Sequence, residues 1–456
     1  MKTLRFEGVW YQDKWVSPAF VNLDMSGNVL SIDSEQPFLS KPESVAGYAV
    51  PAIPNAHSHA FQYAMAGLAE IHPAGSGQDD FWSWREAMYA LALKLNPEQM
   101  EAIASMLYAE MLRHGYTHVV EFHYLHHDVN GMAYANLAEM GERLISAAKR
   151  AGIRVTLVPI LYQLGGFGQA ATERQRRFLT ADLDSYFRLL ARSAKACQQY
   201  WFAQLGSGVH SLRAVAPEIV ERLYTDLDEK TPFHLHIAEQ KKEVTDCLDY
   251  LGCRPVEWLL DHVNLTDQVH LVHCTHVTDA EVRGVAQGGA HVVLCPSTEG
   301  NLGDGLFPLG KFLQAGGKWS IGTDSHVGLN PYEELRLLDY GQRLTTHTRT
   351  SYLARGNSLD SGQAAIEMAL EGGAAAAGSD RAGFEIGQAF DAVVFRADAP
   401  LIASASKDSL LSRMVYASDV SMQLGTLVAG VWKVKDGRHV AGDHIRQQFI
   451  SVMQNL

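Results

Sequence analysis

Short apolar runs alternate with longer amphipathic stretches along the middle of the chain, from about residue 50 to about residue 385. This alternation is typical of βα units that build a parallel sheet. The runs are YAVPAIPNAH, THVVEFHY (117–124), RVTLVPILY (154–162), GVHSLRAV (208–215), FHLHIAE (233–239), VHLVHC (269–274), HVVLCP (291–296) and KWSIGTDS (318–325). Eight strands is the number in a closed (β/α)8 barrel, so the pattern predicts an α/β protein with a TIM-like barrel.

The stretches between these runs have helical spacing and carry signals for helix ends. In PEQMEAIASMLYAEMLRHG, Asn96 is placed to cap the start and Gly115 the end. NLAEMGERLISAAKRAG ends at Gly152, just before the third run. SLDSGQAAIEMALEGGAAAAG follows the last run, and we expect this helix to cover the outside of the barrel.

The two ends of the chain have a different hydrophobic pattern, with short segments of alternating apolar and polar residues separated by turns. LRFEGVWYQ and AFVNLD predict a small antiparallel sheet, and FDAVVFRAD and GTLVAGVWKVKDGRHV add strands, with a hairpin signal at Asp436-Gly437. We predict one small β-sandwich domain built from residues 1–50 and 386–456, with the catalytic barrel (51–385) inserted between them.

Composition excludes several classes of partner and location. The net charge is −13, from 38 basic and 51 acidic residues, and no long Lys/Arg run occurs, which argues against nucleic acid or an anionic membrane as partner. Neither a signal peptide nor about 18 uninterrupted apolar residues is present. The five cysteines are odd in number and form no C-x-x-C pair. We therefore expect a soluble protein in a reducing cytoplasm.

Polar residues follow four of the predicted barrel strands at the ends where a barrel carries its chemistry. The first run ends with His57 and His59, the fifth with His236, the sixth with His273 and the eighth with Asp324. A lone His-x-His pair arises by chance in a chain with 20 histidines. Four strand ends that all meet at one rim favour a metal site.

The predicted ligands are three imidazoles and one carboxylate, from His57, His59, His236 and Asp324. This set suits one zinc ion with space for a water, and iron or manganese fits it as well. A second metal would need a bridging group such as a modified lysine after the fourth strand. That strand offers His210, Ser211 and Arg213 instead, so we predict a single metal.

Two further groups are placed to move protons beside such a metal. A bound metal ion lowers the pKa of water to about 7 and makes hydroxide available at neutral pH. We predict that Glu239 carries a proton to the leaving group and that His273 takes one from water or polarises the atom under attack. Asp324 is a third candidate for this work. The alternative for Glu239 is a carboxylate at a helix start, favoured by the helix dipole.

The motif set as a whole resembles a known superfamily. H-x-H, a later H-x-x-E, the His of VHC and a final GTDS are similar to the amidohydrolase superfamily, and within it to the deaminase branch that carries one metal. DDFWSWREAMY (79–89), EFHYLHHD (121–128), GVHSLRAV and CPSTEGNLGDGLFP (295–308) resemble the formimidoylglutamate deiminase family more narrowly. The resemblance covers the whole chain.

The resemblance implies a substrate, a reaction and an assembly. That family hydrolyses N-formimino-L-glutamate to N-formyl-L-glutamate and ammonia in histidine degradation, and the resemblance suggests a homodimer. It implies zinc on the four ligands above, proton transfer by Glu239 and His273, and a substrate site formed by Gln62, Arg85, Tyr124, His210 and Arg213.

The chemistry of a small dicarboxylate substrate agrees with these assignments. Two carboxylates need two recognition points, and the planar guanidinium groups of Arg85 and Arg213 suit them. Either arginine alone is more often a surface or ion-paired residue, and Trp82 and Trp84 are as often packing residues as pocket walls. The open alternatives are a deaminase or hydrolase of a heterocycle (guanine, an adenosine derivative or a triazine) and an inactive barrel that serves as a binding module.

Overall fold

The structure is a computed structural model that describes residues 2–36, 41–68, 70–71, 81–355, 360–379 and 382–456. The first two residues of DDFWSWREAMY and the first two of SLDSGQAAIEMALEGGAAAAG lie outside the described residues. The strands are β1 (Lys2–Tyr11), β2 (Lys14–Val16), β3 (Ala19–Leu23), β4 (Val29–Asp33), β5 (Glu43–Pro51), β6 (Asn55–Ser58), β7 (His118–His123), β8 (Arg154–Leu161), β9 (Leu164–Gly166), β10 (Gln169–Ala170), β11 (Ala203–Leu205), β12 (Ser207–Val209), β13 (Phe233–Ile237), β14 (Val269–His273), β15 (His291–Leu294), β16 (Lys318–Ile321), β17 (Ala392–Arg396), β18 (Gln423–Val428), β19 (Val431–Lys435) and β20 (Arg438–His439).

The helices lie mostly between the barrel strands. They are α1 (Phe81–Ala92), α2 (Pro97–His114), α3 (Glu139–Ala151), α4 (Leu183–Cys197), α5 (Pro217–Asp226), α6 (Lys241–Leu251), α7 (Pro255–His262), α8 (Asp279–Gly288), α9 (Pro296–Leu302), α10 (Leu309–Gln314), α11 (Pro331–Thr346), α12 (Ser361–Ala376), α13 (Pro400–Ala403), α14 (Leu410–Tyr416) and α15 (Gly442–Met453). Short 3-10 segments cover Ala60–Met65, Glu173–Gln175, Ser351–Arg355, Lys407–Ser409 and Val420–Met422. Among the described residues, no helix is both long enough and apolar enough to cross a membrane.

A parallel sheet of β6, β7, β8, β12, β13, β14, β15 and β16 forms the barrel, in that order. It closes where Ser58 bridges Asp324 in parallel and the main-chain N–H of His59 donates to the Asp324 carbonyl oxygen. Asn55 strengthens the closure, because its side-chain amide donates to the Thr323 hydroxyl at 2.7 Å and its carbonyl oxygen accepts from the Thr323 main chain. The first and last barrel strands are thereby fixed against each other.

Both chain ends contribute to a second, mixed sheet with the order β20-β19-β18-β17-β5-β1-β3-β4, with β2 paired to β1. The Asp436-Gly437 turn joins β19 to β20, and both residues have the positive φ that such a hairpin requires. The predicted fold class, an α/β barrel with a small β domain from both chain ends, is confirmed. The domain division at residues 50 and 385 stays a prediction.

Three local predictions about the sheets and the C-terminal region were wrong. The run before the first histidine pair belongs to β5 in the mixed sheet, and the first barrel strand begins only at Asn55. The sheet of the first 50 residues is not purely antiparallel, because β1 pairs with β5 in parallel. The C-terminal region also contains helices α14 and α15, and Ile445 of α15 is buried among residues of the barrel. The local pattern does not show these pairings, because they join residues far apart in sequence.

The predicted helix ends are confirmed where the structure describes them. Asn96 accepts a hydrogen bond from the main-chain N–H of Gln99 and so caps α2, and Gly115 ends it in the left-handed conformation. Gly152 ends α3 in the same way. Each of these glycines precedes a barrel strand by a few residues, so the sequence fixes where β7 and β8 begin.

Candidate functional site

The predicted site residues line one cavity at the carboxyl ends of the barrel strands. The lining includes every predicted substrate residue (Gln62, Arg85, Tyr124, His210 and Arg213), with His59, His236, Glu239, His273 and Asp324, and with Phe81, Trp84, Met88, Tyr89, Tyr162 and Leu302. His57 lies beneath it, fully buried. The structure therefore brings together all the residues that the sequence selected.

Three imidazole nitrogens and one carboxylate oxygen converge at the base of the cavity. The Nε2 atom of His57 lies 3.1 Å from Nε2 of His59 and 3.1 Å from Nε2 of His236. The Asp324 Oδ1 atom lies 3.5 Å from Nε2 of His57 and 3.2 Å from Nε2 of His59. All four ligand atoms lie within 4.8 Å of one another, and all four residues are buried.

Hydrogen bonds on the far side of two rings show which nitrogens carry protons. The Nδ1 atom of His59 lies 2.9 Å from the Phe122 carbonyl oxygen, and Nδ1 of His236 lies 3.1 Å from the His210 carbonyl oxygen. A carbonyl only accepts, so Nδ1 donates in both rings and Nε2 of each neutral ring presents a lone pair to the cluster. Lone pairs packed this closely are stable around a cation. The donor set thus fits a divalent metal ion with its second shell in place.

Burial and neighbouring groups shift the pKa values of two of these ligands. Burial, with the nearby His59, lowers the pKa of His57 to about 3, so its ring is neutral as a metal ligand must be. Burial alone would raise the pKa of Asp324, but the adjacent imidazoles of His57 and His59 hold it well below its usual range. His57 therefore presents a neutral nitrogen and Asp324 an anionic oxygen.

The extended backbone of β6 explains how the sequence places two ligands together. His57 and His59 flank Ser58, and alternate residues of a strand point to the same side. The Ser58 hydroxyl points away from the metal ligands and donates to Glu121 at 2.7 Å. Glu121 also accepts from the Ala60 main chain and from the Tyr108 hydroxyl, at 2.6 and 3.0 Å. This buried carboxylate supports the H-x-H segment from the side away from the metal ligands. It is the first residue of the quoted EFHYLHHD segment, but the local sequence does not show its partners.

The ends of three strands carry unusual backbone conformations. His273, Asp324 and Ala238 all have positive φ, at 73°, 45° and 52°. Non-glycine residues rarely adopt this region, and it costs on the order of 1–3 kcal/mol each. The strand ends therefore turn sharply where the functional side chains enter the cavity, and the surrounding packing supports that strain.

Glu239 and His273 lie side by side next to the cluster. The Nε2 atom of His273 lies 3.7 Å from Oε1 of Glu239 and 3.8 Å from Oδ2 of Asp324. Burial alone would lower the pKa of His273, but Glu239, Glu299 and Asp324 raise it to about 10. Burial raises the pKa of Glu239, against the opposing charges of His273 and Arg213. Both groups can exchange protons at the cavity floor.

Glu299 is a functional candidate that the sequence reasoning missed. Its Oε1 atom lies 3.2 Å from Nδ1 of His273 and accepts from the Cys295 main chain at 2.9 Å. It belongs to the quoted CPSTEGNLGDGLFP segment, and a carboxylate five residues after the end of β15 was the only available signal. Only the approach of α9 to the end of β14 shows its partner.

The two predicted arginines lie on the cavity wall, and each has a donor to spare. Arg85 packs its guanidinium group between the Trp82 and Tyr89 rings, 4.5 and 5.5 Å from their centres. Arg213 donates to Glu239 at 3.3 Å. Nε of Arg85 and Nη1 of Arg213 are buried and have no hydrogen-bond partner in the described part of the chain. Unpaired buried donors of two cations point to an anionic ligand.

The remaining predicted substrate residues add neutral polar groups to the cavity. Gln62 donates to the Tyr124 hydroxyl at 3.0 Å, while its own Oε1 is buried and accepts no hydrogen bond within the described ranges. Burial and then the charge of Arg213 hold the pKa of His210 well below its usual value. The cavity thus combines cationic donors with neutral acceptors and aromatic rings.

Comparison with known proteins identifies the family. The model of the amidohydrolase family matches residues 48–433. This chain belongs to the amidohydrolase family. Amidohydrolases are metal-dependent, and the His57, His59, His236 and Asp324 cluster has the ligands that such an enzyme needs.

Curated relatives place the chain within the amidohydrolases. It is 45% identical to a formimidoylglutamate deiminase of Pseudomonas aeruginosa over 415 residues, which cover 91% of this chain and 90% of that protein. It is 28% identical over 399 residues to a 5-methylthioadenosine/S-adenosylhomocysteine deaminase of Haloarcula marismortui, covering 86% and 83% of the two chains. The identity to the deiminase is much higher, over a slightly longer alignment.

Solved amidohydrolase structures share the fold. The crystal structure of an amidohydrolase from Brucella melitensis aligns with 100% of this chain and 99% of its own, with a TM-score of 0.92 and 40% identity. An adenosine deaminase from Xanthomonas campestris with bound zinc aligns with 99% of this chain and 98% of its own, with a TM-score of 0.79 and 20% identity. At 20% identity the second likeness shows the fold alone.

Proposed function

We propose that this amidohydrolase hydrolyses N-formimino-L-glutamate to N-formyl-L-glutamate and ammonia, using one zinc ion. The single observation that carries the proposal is the pair of arginines, Arg85 and Arg213, each with an unpaired buried donor in the cavity that ends at the metal cluster. The 45% identity to a formimidoylglutamate deiminase agrees with it. A neutral heterocycle would leave both of these cationic donors unpaired at a cost.

Substrate position follows from charge. The two carboxylates are bound by Arg85 and Arg213 at the wall, which directs the formimino group to the base of the cavity. There the unpaired Oε1 of Gln62 and the neutral His210 ring offer acceptors for its N–H groups.

The mechanism uses His273 and Glu239 as proton carriers. When bound, zinc lowers the pKa of its water to about 7 and so supplies a nucleophile at neutral pH. His273 takes a proton through Nε2 as the water oxygen adds to the formimino carbon. A divalent charge beside this ring opposes the rise in its pKa, which makes the imidazole available as a base.

Glu239 then completes the reaction. It passes the proton that His273 took from water to the imino nitrogen. The second proton of that water, carried by the added oxygen, follows to the same nitrogen as the C=O bond forms, so that the C–N bond breaks and ammonia leaves. The Oε1 atom of Glu239 lies 3.7 Å from Nε2 of His273, so the first proton moves between adjacent groups. Arg213, 3.3 Å from Oε2 of Glu239, is placed to link carboxylate binding to the position of the acid.

Zinc is the metal we propose, because three imidazoles and one carboxylate form a compact nitrogen-rich set. Metal analysis of the purified protein tests this directly, and an equivalent of iron or manganese in place of zinc would overturn the choice of metal.

The test of the function is ammonia release from a panel of substrates, run on the sample used for metal analysis. We expect release from N-formimino-L-glutamate and none from aminopurines, aminopyrimidines or aminotriazines. Turnover of the heterocycles alone would favour the heterocycle deaminase. A metal-free protein that stays inactive after zinc is added would favour a binding module.

We also propose that the protein is a cytoplasmic homodimer. All five cysteines lie in the described residues and are free, as suits a reducing compartment. The dimer follows from the resemblance to the formimidoylglutamate deiminase family, and analytical ultracentrifugation tests it. A sedimenting mass of one chain at micromolar concentration would overturn it.

A further inference from the structure

Helix α1 forms one wall of the cavity. It supplies five of the lining side chains, which are Phe81, Trp84, Arg85, Met88 and Tyr89. The guanidinium group of Arg85 packs on the Tyr89 ring one turn along the same helix, 5.5 Å from its centre. The donors of Arg85 therefore move with α1, so the position of this helix decides how the site meets an anionic group of a substrate.

Arg177 holds the C-terminal end of α1. The side chain is fully buried, yet its guanidinium group forms no ion pair within the described residues. Nη1 donates to the carbonyl oxygen of Ala92, the last residue of α1, and to that of Leu95 at 2.7 Å. Carbonyl groups at a helix C-terminus lack partners inside the helix and carry the negative end of its dipole. They therefore stabilise a buried cation at this position.

The same arginine is tied to the barrel. Its Nε donates to the His127 carbonyl oxygen at 2.8 Å, and its own carbonyl oxygen accepts from the main-chain N–H groups of His126 and His127 at 3.1 and 3.0 Å. These two histidines follow the carboxyl end of β7 by a few residues. Arg177 thus joins the end of α1 to a strand end at the rim of the barrel.

Gln175 makes a second connection between α1 and the barrel. Its Nε2 donates to the Tyr162 hydroxyl at 2.7 Å and to the Tyr89 hydroxyl at 3.3 Å. Tyr162 directly follows β8, whereas Tyr89 belongs to α1 and packs on Arg85. The Oε1 atom of Gln175 accepts from the Thr172 main chain and hydroxyl at 2.8 and 3.0 Å, which orients the amide with Nε2 toward the tyrosines. A series of contacts therefore leads from the barrel through Gln175 and Tyr89 to Arg85.

We propose that Arg177 and Gln175 are positioning residues that fix α1 against the barrel, and through α1 determine the selectivity of Arg85 for an anionic substrate. Both are buried, and neither is among the described residues that line the cavity, so they act only through the helix. The effect on selectivity rests on the proposed function, whereas the anchoring of α1 does not. Residues that only stabilised the fold would act on kcat and KM without regard to Arg85.

Hydrogen exchange of the substrate-free, metal-loaded protein tests the anchoring. Arg177→Met removes the donors to the helix end, and Gln175→Met removes the amide at similar length. We expect peptides of α1 to exchange about tenfold faster in both variants and peptides of α3 to be unchanged. Arg177→Lys keeps a cation at the helix end and should recover part of the protection.

Arg176→Met is the matched control for these variants. Arg176 is the neighbouring arginine, and it donates to the carbonyl oxygens of Val129 and Glu173, neither of which belongs to α1. Its replacement should leave the exchange of α1 unchanged. Thermal unfolding curves establish that each variant is folded. Wild-type exchange rates for α1 in folded Arg177→Met and Gln175→Met would overturn the anchoring.

Steady-state kinetics test the effect on selectivity. Arg177→Met and Gln175→Met should raise KM for N-formimino-L-glutamate about tenfold and change kcat less than about threefold, because Glu239 and His273 keep their positions. In an Arg85→Met background the same replacements should change KM less than about twofold, since the group that they position is absent. An unchanged KM, or losses that add to those of Arg85→Met, would overturn the effect on selectivity. If α1 exchanges faster in the variants but the wild type releases no ammonia from N-formimino-L-glutamate, the proposed function fails and the anchoring stands.

Discussion

The Nδ1 atom of His273 lies 3.2 Å from Oε1 of Glu299, and the same carboxylate accepts from the main chain of Cys295. A carboxylate at Nδ1 fixes the proton there and leaves Nε2 facing the cavity. His273 thus reaches the cavity with a defined orientation, set by a residue of α9, the helix that follows the next barrel strand.

We predict that Glu299→Leu lowers kcat at least tenfold and changes KM little. The hydrogen bond to a charged partner that it removes is worth about 1.5–3 kcal/mol. Glu299→Gln should recover part of the activity, because its carbonyl oxygen still accepts from Nδ1. Steady-state kinetics and metal content are measured for both. Equal kcat values for the Leu and Gln variants would show that Glu299 does not position His273, and the exposed Glu218→Gln is the control.

Arg85 offers a sharper test of dicarboxylate binding than Arg213. Arg213→Met should lower kcat/KM at least tenfold, since a contact to a charged group is worth about 1.5–3 kcal/mol, but it also removes the partner of Glu239. Arg85→Met should raise KM by a similar factor with a smaller effect on kcat, because Arg85 contacts neither proton carrier among the described contacts.

Truncated substrates identify which carboxylate each arginine holds. A formimino compound that lacks one carboxylate should have a low kcat/KM with the wild type. Replacing the arginine that would bind the missing carboxylate should lower that value little further. Each arginine is measured against both truncated compounds in a double cycle. If the losses in kcat/KM are independent for all four combinations of arginine variant and truncated compound, neither arginine binds a carboxylate.

Removal of the metal should lower stability as well as activity. Four buried ligands bind the ion in the folded state only, so bound metal stabilises the protein by RT ln(1 + [L]/Kd), about 4 kcal/mol at a thousandfold excess over Kd. We expect a chelator to abolish activity and lower Tm, and zinc to restore both. His57→Ala should show the lower Tm from the start and no response to the chelator. A chelator-induced shift of equal size in His57→Ala would place the stabilising ion elsewhere.

Acid should destabilise the protein through histidines at the opposite end of the barrel. His234 stacks on His270, with ring centres 4.7 Å apart, and its Nε2 lies 3.1 Å from the Ala376 carbonyl oxygen. Burial lowers the pKa of His234 to about 3, although this hydrogen bond opposes the change. The unfolded chain therefore binds a proton below about pH 6.5 that the folded protein excludes.

The sign follows from that difference. Stability is complete above the ordinary histidine pKa and falls as the pH drops below it, by up to about 1.4 kcal/mol per pH unit for each such histidine. His234→Gln keeps a donor for Ala376 and removes the titration. If His234→Gln lowers the free energy of unfolding at pH 6.5, the difference from the wild type should therefore be smaller at pH 5.5. Urea unfolding at both values measures it, and a constant difference would contradict the role of His234.

The barrel itself could be predicted because its signals are local. Caps such as Asn96 and Gly115, apolar runs of strand length and polar residues at their ends all lie within a few positions of each other. The run before Pro54 was wrongly predicted to belong to the first barrel strand for the same reason. A short apolar, β-branched segment has the same local pattern in either sheet. Only the partners of β5, which are β1 and β17, decide that it belongs to the mixed sheet.

The sequence by itself determined which residues stand at the strand ends, and therefore the candidate metal ligands, the proposed proton carriers and the two arginines. The tertiary structure decided what those residues contact: Glu121 behind the H-x-H segment, Glu299 on His273 and the rings around Arg85. The reason is physical. Strand and helix signals depend on neighbours along the chain, whereas hydrogen bonds across a closed barrel depend on strand register and on loops that approach each other only after the barrel has formed.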